Sequence, residues 1–191
     1  MVLDIFSRFV VGWSLVLREN AAVARQLIEA CCREQGITRQ QLTLHADRGS
    51  AMTSKTLAEL LIDLGVARSH SRPHVSNDNA FSEAQFKTVK YRPDSPECFG
   101  PIQDARAYFA QLFRWYNHEH RHAGIGLLTP ADVHYGRAQE VIARCQSVLM
   151  AAYAAHPERF RRPPTAPSIP SEVWINHPGT GSLPVGQPTT K

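Results

Sequence analysis

The sequence predicts an α/β fold. Short runs rich in Val, Ile, Phe and Trp alternate with helical apolar stripes, and Gly or Asn marks most of the junctions. Taken in order, "MVLDIFSRFVVGWSLVL" reads as two strands around a turn at Ser7-Arg8, since β-branched and aromatic residues suit a pleated, half-buried surface. Asn20 is placed to cap a helix through "AAVARQLIEACCREQ", with Gly36 just past its end. "QLTLH" is a short strand. Thr53 or Ser54 caps the next helix, in which Leu57, Leu60, Leu61 and Leu64 recur on one face and Gly65 ends the element. "VARSH" is a fourth strand. The polar loop "SRPHVSNDN" leads into a helix from about Asn77–Asn79 through "AFSEAQFKTVKY", stopped by Pro93. A helix over 102–118 places Ile102, Ala105, Phe109, Leu112, Phe113 and Tyr116 on one side, and another follows Pro130 to about 153. Eight of the 13 prolines lie between Pro157 and Pro188, so that stretch is expected to be extended or disordered, with at most a short strand at "EVWIN".

Composition narrows the function classes. The 191 residues suffice for one core plus a tail. A net charge of +4 suits a polyanionic partner without demanding one. The four cysteines form no C-x-x-C pair, which reads as reduced thiols in a cytoplasmic protein. No apolar run approaches a membrane span, and no signal peptide is visible.

Two segments carry chemistry. "LTLHADRGSAMTSK" ends a strand on Asp47 beside Arg48-Gly49-Ser50, and ligands of open α/β sheets gather at carboxyl ends of strands. On the helix after Asn79, a 100° step per residue puts Asn79, Glu83, Lys87 and Lys90 on one side. Ala80, Phe81, Ala84, Thr88 and Tyr91 then cover a broadly opposite face, while Phe86 and Val89 fit neither. By itself that is the pattern of a solvated face with an i,i+4 Glu–Lys pair.

Thirty-five residues separate Asp47 from Glu83. Here the sequence resembles the DDE transposases of bacterial insertion sequences, whose catalytic core is like that of retroviral integrases. "HADRGS" resembles the segment around their second Asp, and "SNDNAFSEAQFKTVK" the segment around their Glu, with Lys90 matching a basic residue one helical repeat later. "DIFSRFVVGW" and "WYNHEHRHAGIGLLTP" resemble the strand–turn–strand and post-core segments, so the likeness runs in order over about 1–135. It implies an RNase H-like fold, a mixed sheet flanked by helices, with a partial catalytic core at 1–95, a helical post-core segment at 96–155 and a Pro-rich tail at 156–191. It implies DNA transposition or integration, by cleavage and strand transfer. Asp47 and Glu83 would be catalytic metal ligands for Mg2+ or Mn2+, two ions in a complete site. Lys87, Lys90, Arg48 and Asn79 would meet DNA. Two such ions sit about 3.5–4 Å apart and are held by oxygen ligands. Implied partners are mobile-element ends and target DNA, a homo-oligomer formed on them, and a separate polypeptide that recognises the ends. The implied location is the bacterial cytoplasm, at the nucleoid, with no membrane.

The likeness is incomplete. The family's first catalytic Asp sits on the strand before the hairpin, and this chain reads as starting one strand late. Asp4 falls at the turn side of the following strand pair, where a local hydrogen bond or a pair with Arg8 suits it better. The expectation is therefore a chain inactive alone, with a non-catalytic DNA-binding subunit or a remnant of a decayed element as the alternative. Other residues stay open. His45 is placed either to orient Asp47 or to pack at the core edge. Arg48 suits a phosphate or a nearby acid. His118, His120 and His122 alternate without sharing a helical face, which suits a basic helix end or solvated surface better than zinc. Trp13, Trp115 and Tyr116 read as packing residues, Asp63 as a helix-surface acid and Asp78 as a cap.

Overall fold

In the computed structural model, which describes residues 1–73, 75–93 and 95–175, strands and helices alternate as an α/β chain. The first hairpin pairs β1 (Val2–Leu3) with β2 (Val10–Gly12), antiparallel. Both strands are shorter than the sequence suggests, because six residues, Asp4 to Phe9, are taken up in the turn between them. Asp4 accepts the Phe6 N–H at 3.0 Å and the fully buried Ser7 hydroxyl at 2.5 Å, and Arg8 closes the turn at φ 64°. The chain beyond Gly12 leaves the sheet; Arg106 holds it by two bonds to the Leu15 carbonyl.

Helix α1 (Ala21–Glu34) starts as its cap demands, with Asn20 Oδ1 accepting the Val23 N–H at 2.9 Å, and Gly36 follows its end at φ 62°. Strand β3 (Thr43–Ala46) pairs in parallel with β4 (Ala67–His70), across α2 (Lys55–Leu64). Ser54 is the cap of α2, and Gly65 ends it in the left-handed region. Leu57, Leu60 and Leu61 are buried and join Ile28 and Cys32 of α1 in one apolar cluster. Gly12 is pressed so closely on α1 that an added Cβ would lie 2.2 Å from Cys31 Sγ.

The sheet, expected to lack its first strand, is present as two separate two-stranded sheets, β1–β2 and β3–β4. Val2 of one and Leu44 of the other pack on the same α1–α2 cluster, so the two half-sheets share a floor. On the far side of its hairpin β2 is closed by a side chain. Asn117 accepts the Val10 N–H at 2.9 Å and donates to the Val10 carbonyl at 3.0 Å, an amide standing where a neighbouring strand would be.

A 3-10 turn at Ser76–Asn79 leads into α3 (Ala80–Lys90). Its inward face differs from the sequence expectation: Ala80, Ala84 and Tyr91 are exposed, and the buried residue is Gln85. Phe81, Gln85 and Val89, four residues apart, form the inward line, with Val89 packed against the cluster of Val10, Phe113 and Tyr116. Helix α4 (Ile102–His118) matches the predicted span. The single helix expected after Pro130 is two, α5 (Pro130–His134) and α6 (Ala138–Ala155), because Gly136 turns left-handed at φ 72° between them. Thr129 and Asp132 form a reciprocal cap at the start of α5.

Residues 160–175 contain no helix or strand, so 172–175 of "EVWIN" is not a strand, and Asn176 lies outside the described residues. The proline-rich chain is nevertheless docked. Gln146 of α6 donates to the Pro164 carbonyl at 3.1 Å and accepts the Ala166 N–H at 2.7 Å, and Ile169 packs with Ile125 and Leu128.

Candidate DNA-processing site

Asp47 stands just past the carboxyl end of β3, exposed to solvent. Its Oδ1 accepts the Gly49 N–H at 3.0 Å and its carbonyl meets His70 Nδ1 at 3.0 Å. Gly49 is not in the left-handed region; it is small because an added Cβ would lie 3.1 Å from Asp47 Oδ1 and 3.6 Å from Glu19 Oε1. A second carboxylate, Glu19, therefore approaches the Asp47 loop from the segment before α1. Nothing in the sequence pointed to it, since that approach joins residues some thirty positions apart.

Glu83, Lys87 and Lys90 are all exposed on the side of α3 that faces away from the Phe81–Gln85–Val89 line. Lys90 Nζ also lies 5.6 Å from the Tyr91 ring centroid. Asn79 occupies the N-cap position of α3 without a side-chain capping bond, and Arg48 is exposed. The entry to α3 is fixed by Asp78, which does not act as the expected helix cap. Its side chain is 1% exposed and forks Arg72, with bonds from the Arg72 N–H at 2.8 Å, Nε at 3.0 Å and an η nitrogen at 3.0 Å. That clamp ties the end of β4 to the turn preceding Glu83, and so sets where α3 begins.

His45 does not reach towards Asp47. Its Nδ1 lies 2.9 Å from Ser69 Oγ and its Nε2 3.2 Å from Ser71 Oγ, which makes it a cross-strand tie at the core edge. Asp4 is committed elsewhere too: besides the turn it meets His134 Nδ1 at 3.2 Å, and the His134 ring stacks on Phe9 at 4.3 Å. Of the three alternating histidines, His122 caps its own turn by accepting the Gly124 N–H at 3.0 Å. His120 lies against Trp115 and Tyr116. A groove of about 440 Å³ between β2, α1 and α4 is lined by neither Asp47 nor Glu83.

The donor set suits a hard divalent cation in kind, since Asp47 and Glu83 offer exposed carboxylate oxygens. It falls short in number. Among the described residues no three His, Cys, Asp or Glu side chains converge as a metal ion would require, and two ions need a bridging ligand as well.

Integrase core domain models match residues 1–76 and 64–130. The chain is 31% identical over 132 residues to the transposase for insertion sequence element IS904 of Lactococcus lactis subsp. lactis (strain IL1403). That match takes in 68% of this chain and 51% of the relative, so the chain spans about half the length of the curated relative it matches. Among solved structures, the simian T-cell lymphotropic virus intasome in complex with PP2A regulatory subunit B56 gamma gives a TM-score of 0.49 at 15% identity, covering 62% of this chain and 41% of that one. The catalytic core domain of BIV integrase gives 0.46 at 18%, covering 70% and 84%. Among the described residues no helix is long and apolar enough to cross a membrane. The two integrase-core matches together run from the first hairpin through "GIGLLTP", the same span over which the hairpin, the Asp47 loop, the Glu83 helix and the post-core turn follow in order, and the chain belongs to the integrase-core family, with an insertion-sequence transposase among its relatives.

Proposed function

We propose that this chain is the catalytic-core portion of a transposase, which cleaves the DNA ends of a mobile element and joins them to a target. The observation that carries this reading is the exposed row Glu83–Lys87–Lys90 on α3, with Asp47 exposed at the carboxyl end of a parallel strand pair, in a chain of the integrase-core family. In this reading Asp47 and Glu83 are the metal-holding acids, for Mg2+ or Mn2+, with two ions in a complete site. When bound, such ions neutralise charge on the phosphate and activate the attacking oxygen. Lys87 and Lys90 lie beside Glu83 on the same face and hold the DNA backbone; Arg48 does so beside Asp47, and Asn79 at the start of α3. These three cations and the Asn79 amide would set where the DNA strand lies without reading its sequence. Element ends and target DNA are the partners, bound by a homo-oligomer in the cytoplasm, with a separate polypeptide free to recognise the ends.

From the divided sheet, and from the lack of a third converging acid among the described residues, we infer that this polypeptide is incompetent for strand transfer by itself. A further strand bearing a carboxylate, lying between β1 and β3 beside Asp47, would complete both. The test is metal-dependent strand transfer of element-end DNA, by the 191-residue chain alone and by the chain with such a strand appended upstream. We expect activity only in the second, abolished by Asp47→Asn or Glu83→Gln. Robust transfer by the short chain overturns the incompetence, and inactivity of both forms overturns the assignment of Asp47 and Glu83. The same two structural features also favour a second reading, a DNA-binding subunit without catalysis. It predicts salt-dependent DNA binding that survives both acid substitutions.

A further inference from the structure

We propose that Arg159, Arg161 and Arg162 form a further DNA contact, a short cationic tract that the docked proline-rich segment holds on the outside of α6. The inference rests on the DNA reading above but uses none of its residues. All three arginines are exposed, and among the described residues none of them makes an ion pair within 4 Å. Acids are scarce around them. From Val141 to Ser171 the chain carries four arginines and one carboxylate, Glu158, and Glu158 turns to His156 at 3.3 Å. The whole chain has a net charge of only +4, so this stretch holds most of its excess. Its fourth arginine, Arg144, stands apart from the tract, about 200° round α6 from Gln146.

Three arginines beside two prolines would ordinarily be a loose, solvated basic tail. Here the segment is tied down on both sides. At its start a 3-10 turn at Pro157–Arg159 follows α6, and the Phe160 ring stands edge-on to Tyr153 at 5.6 Å. Beyond the arginines Gln146 grips the Pro164 carbonyl and the Ala166 N–H. Farther on, the segment seats on Gly126, where an added Cβ would lie 2.8 Å from the Ser168 carbonyl oxygen. Tyr153 and Gln146 are seven residues apart, about 10 Å along a helix. The four residues from Phe160 to Pro164 reach about 12 Å when extended, so the tract runs back along α6 with little slack. Phe160 is extended, at φ −121° and ψ 135°, and Pro163 confines Arg162 to extended conformations. Alternation turns Phe160 inward onto Tyr153 and Arg161 outward. A backbone held in this way has already lost much of the freedom that binding would otherwise remove. Guanidinium groups keep their charge and fork onto phosphate oxygens, and a line of them on an extended chain matches a repeating polyanion.

The intact 191-residue chain is tested for binding a DNA duplex across a salt series, beside an Arg159→Gln/Arg161→Gln/Arg162→Gln variant. We expect affinity to fall about tenfold or more at low salt and the salt slope to drop by about 2–3, since each phosphate contact contributes about 0.9. An Arg159→Lys/Arg161→Lys/Arg162→Lys variant keeps the charges and should keep the slope; if it binds as weakly as the glutamine variant, the loss does not come from charge and the contact is overturned. Unchanged affinity and slope in the glutamine variant sink this tract alone, while a parent chain that binds no DNA at any salt sinks the DNA reading with it. Polyglutamate binding that is as tight as DNA binding, and lost equally in the glutamine variant, would make the tract a general polyanion patch and overturn the DNA assignment. Gln146→Ala keeps every charge and loosens the segment. Weaker binding at the same slope supports a tract set in place before DNA arrives, and unchanged affinity overturns it in favour of a loose basic tail.

Discussion

Asn117 holds Val10 by both backbone groups, from 107 positions away, and is itself 7% exposed. Replacing it with Leu keeps the bulk and strands a buried N–H and a buried carbonyl. Each such loss costs about 1–3 kcal/mol, so the urea midpoint of Asn117→Leu should fall well below the parent's. Asn117→Asp, which still accepts from the Val10 N–H, should lie between. A midpoint for Asn117→Leu equal to the parent's would mean the amide bridge contributes nothing. This residue also shows a limit of sequence reading. "WYNHEHRHAGIGLLTP" was recognisable as a segment of a family, but no local pattern says that its Asn closes a strand edge. The same holds for Asp4: its turn bonds, to residues two and three positions on, were legible, and its contact with His134, 130 positions away, was not.

Helix α3 shows which parts of an element are legible. Its charged row was readable because Glu83, Lys87 and Lys90 repeat at helical spacing. Its inward face was not, because Gln85 puts an amide in the middle of the apolar line from Phe81 to Val89. Gln85 is 3% exposed, and its Nε2 is buried without a hydrogen-bond partner among the described residues. An unpaired buried amide costs about 1–3 kcal/mol, so Gln85→Leu should raise the unfolding midpoint; a fall would show that the amide is used in a way this geometry does not reveal. Helix starts at Asn20 and Ser54 were legible because a cap is i to i+3 chemistry. The break at Gly136 has its signal in the sequence, a glycine that takes the left-handed turn between the two helices. The turn after α4 makes a prediction in pH. His120 and His122 are both depressed, by burial first. A depressed imidazole contributes stability that is full above its unfolded value of about 6.5 and is lost as pH falls through the lower folded value. Denaturant midpoints should therefore drop between about pH 7.5 and pH 5, and less steeply in His120→Gln; parallel curves for parent and variant would remove His120 from the account.

At the scale of the molecule, the proposed incompetence rests on the divided sheet. Parallel strands are ordinarily buried within larger sheets, yet β3 has one partner, and Thr43 is exposed while Leu44, His45 and Ala46 are only half-buried. The bonds from the Ala67 N–H to the Leu42 carbonyl and from the Ser71 N–H to the Ala46 carbonyl fix which side of β3 faces β4. By alternation, the backbone groups of Thr43 and His45 point to the other edge. Val2 and Leu44 lie on the same α1–α2 floor, so a single strand placed between β1 and β3 would join four short strands into one sheet of five. Three or four large apolar side chains on that strand, at about 1.5–3 kcal/mol each, would match the whole stability margin of a small domain, about 5–15 kcal/mol. Amide exchange can read this directly. In the chain alone, the Thr43 and His45 amides should exchange far faster than the amides of Leu57, Leu60 and Leu61, which sit in the buried helix α2. Appending the strand should slow Thr43 and His45 selectively, raise the global unfolding midpoint, and permit strand transfer together. If instead those two amides are already as slow as the α2 core in the 191-residue chain, the edge is closed by other means, and incompetence would have to be traced to the acids rather than to the sheet.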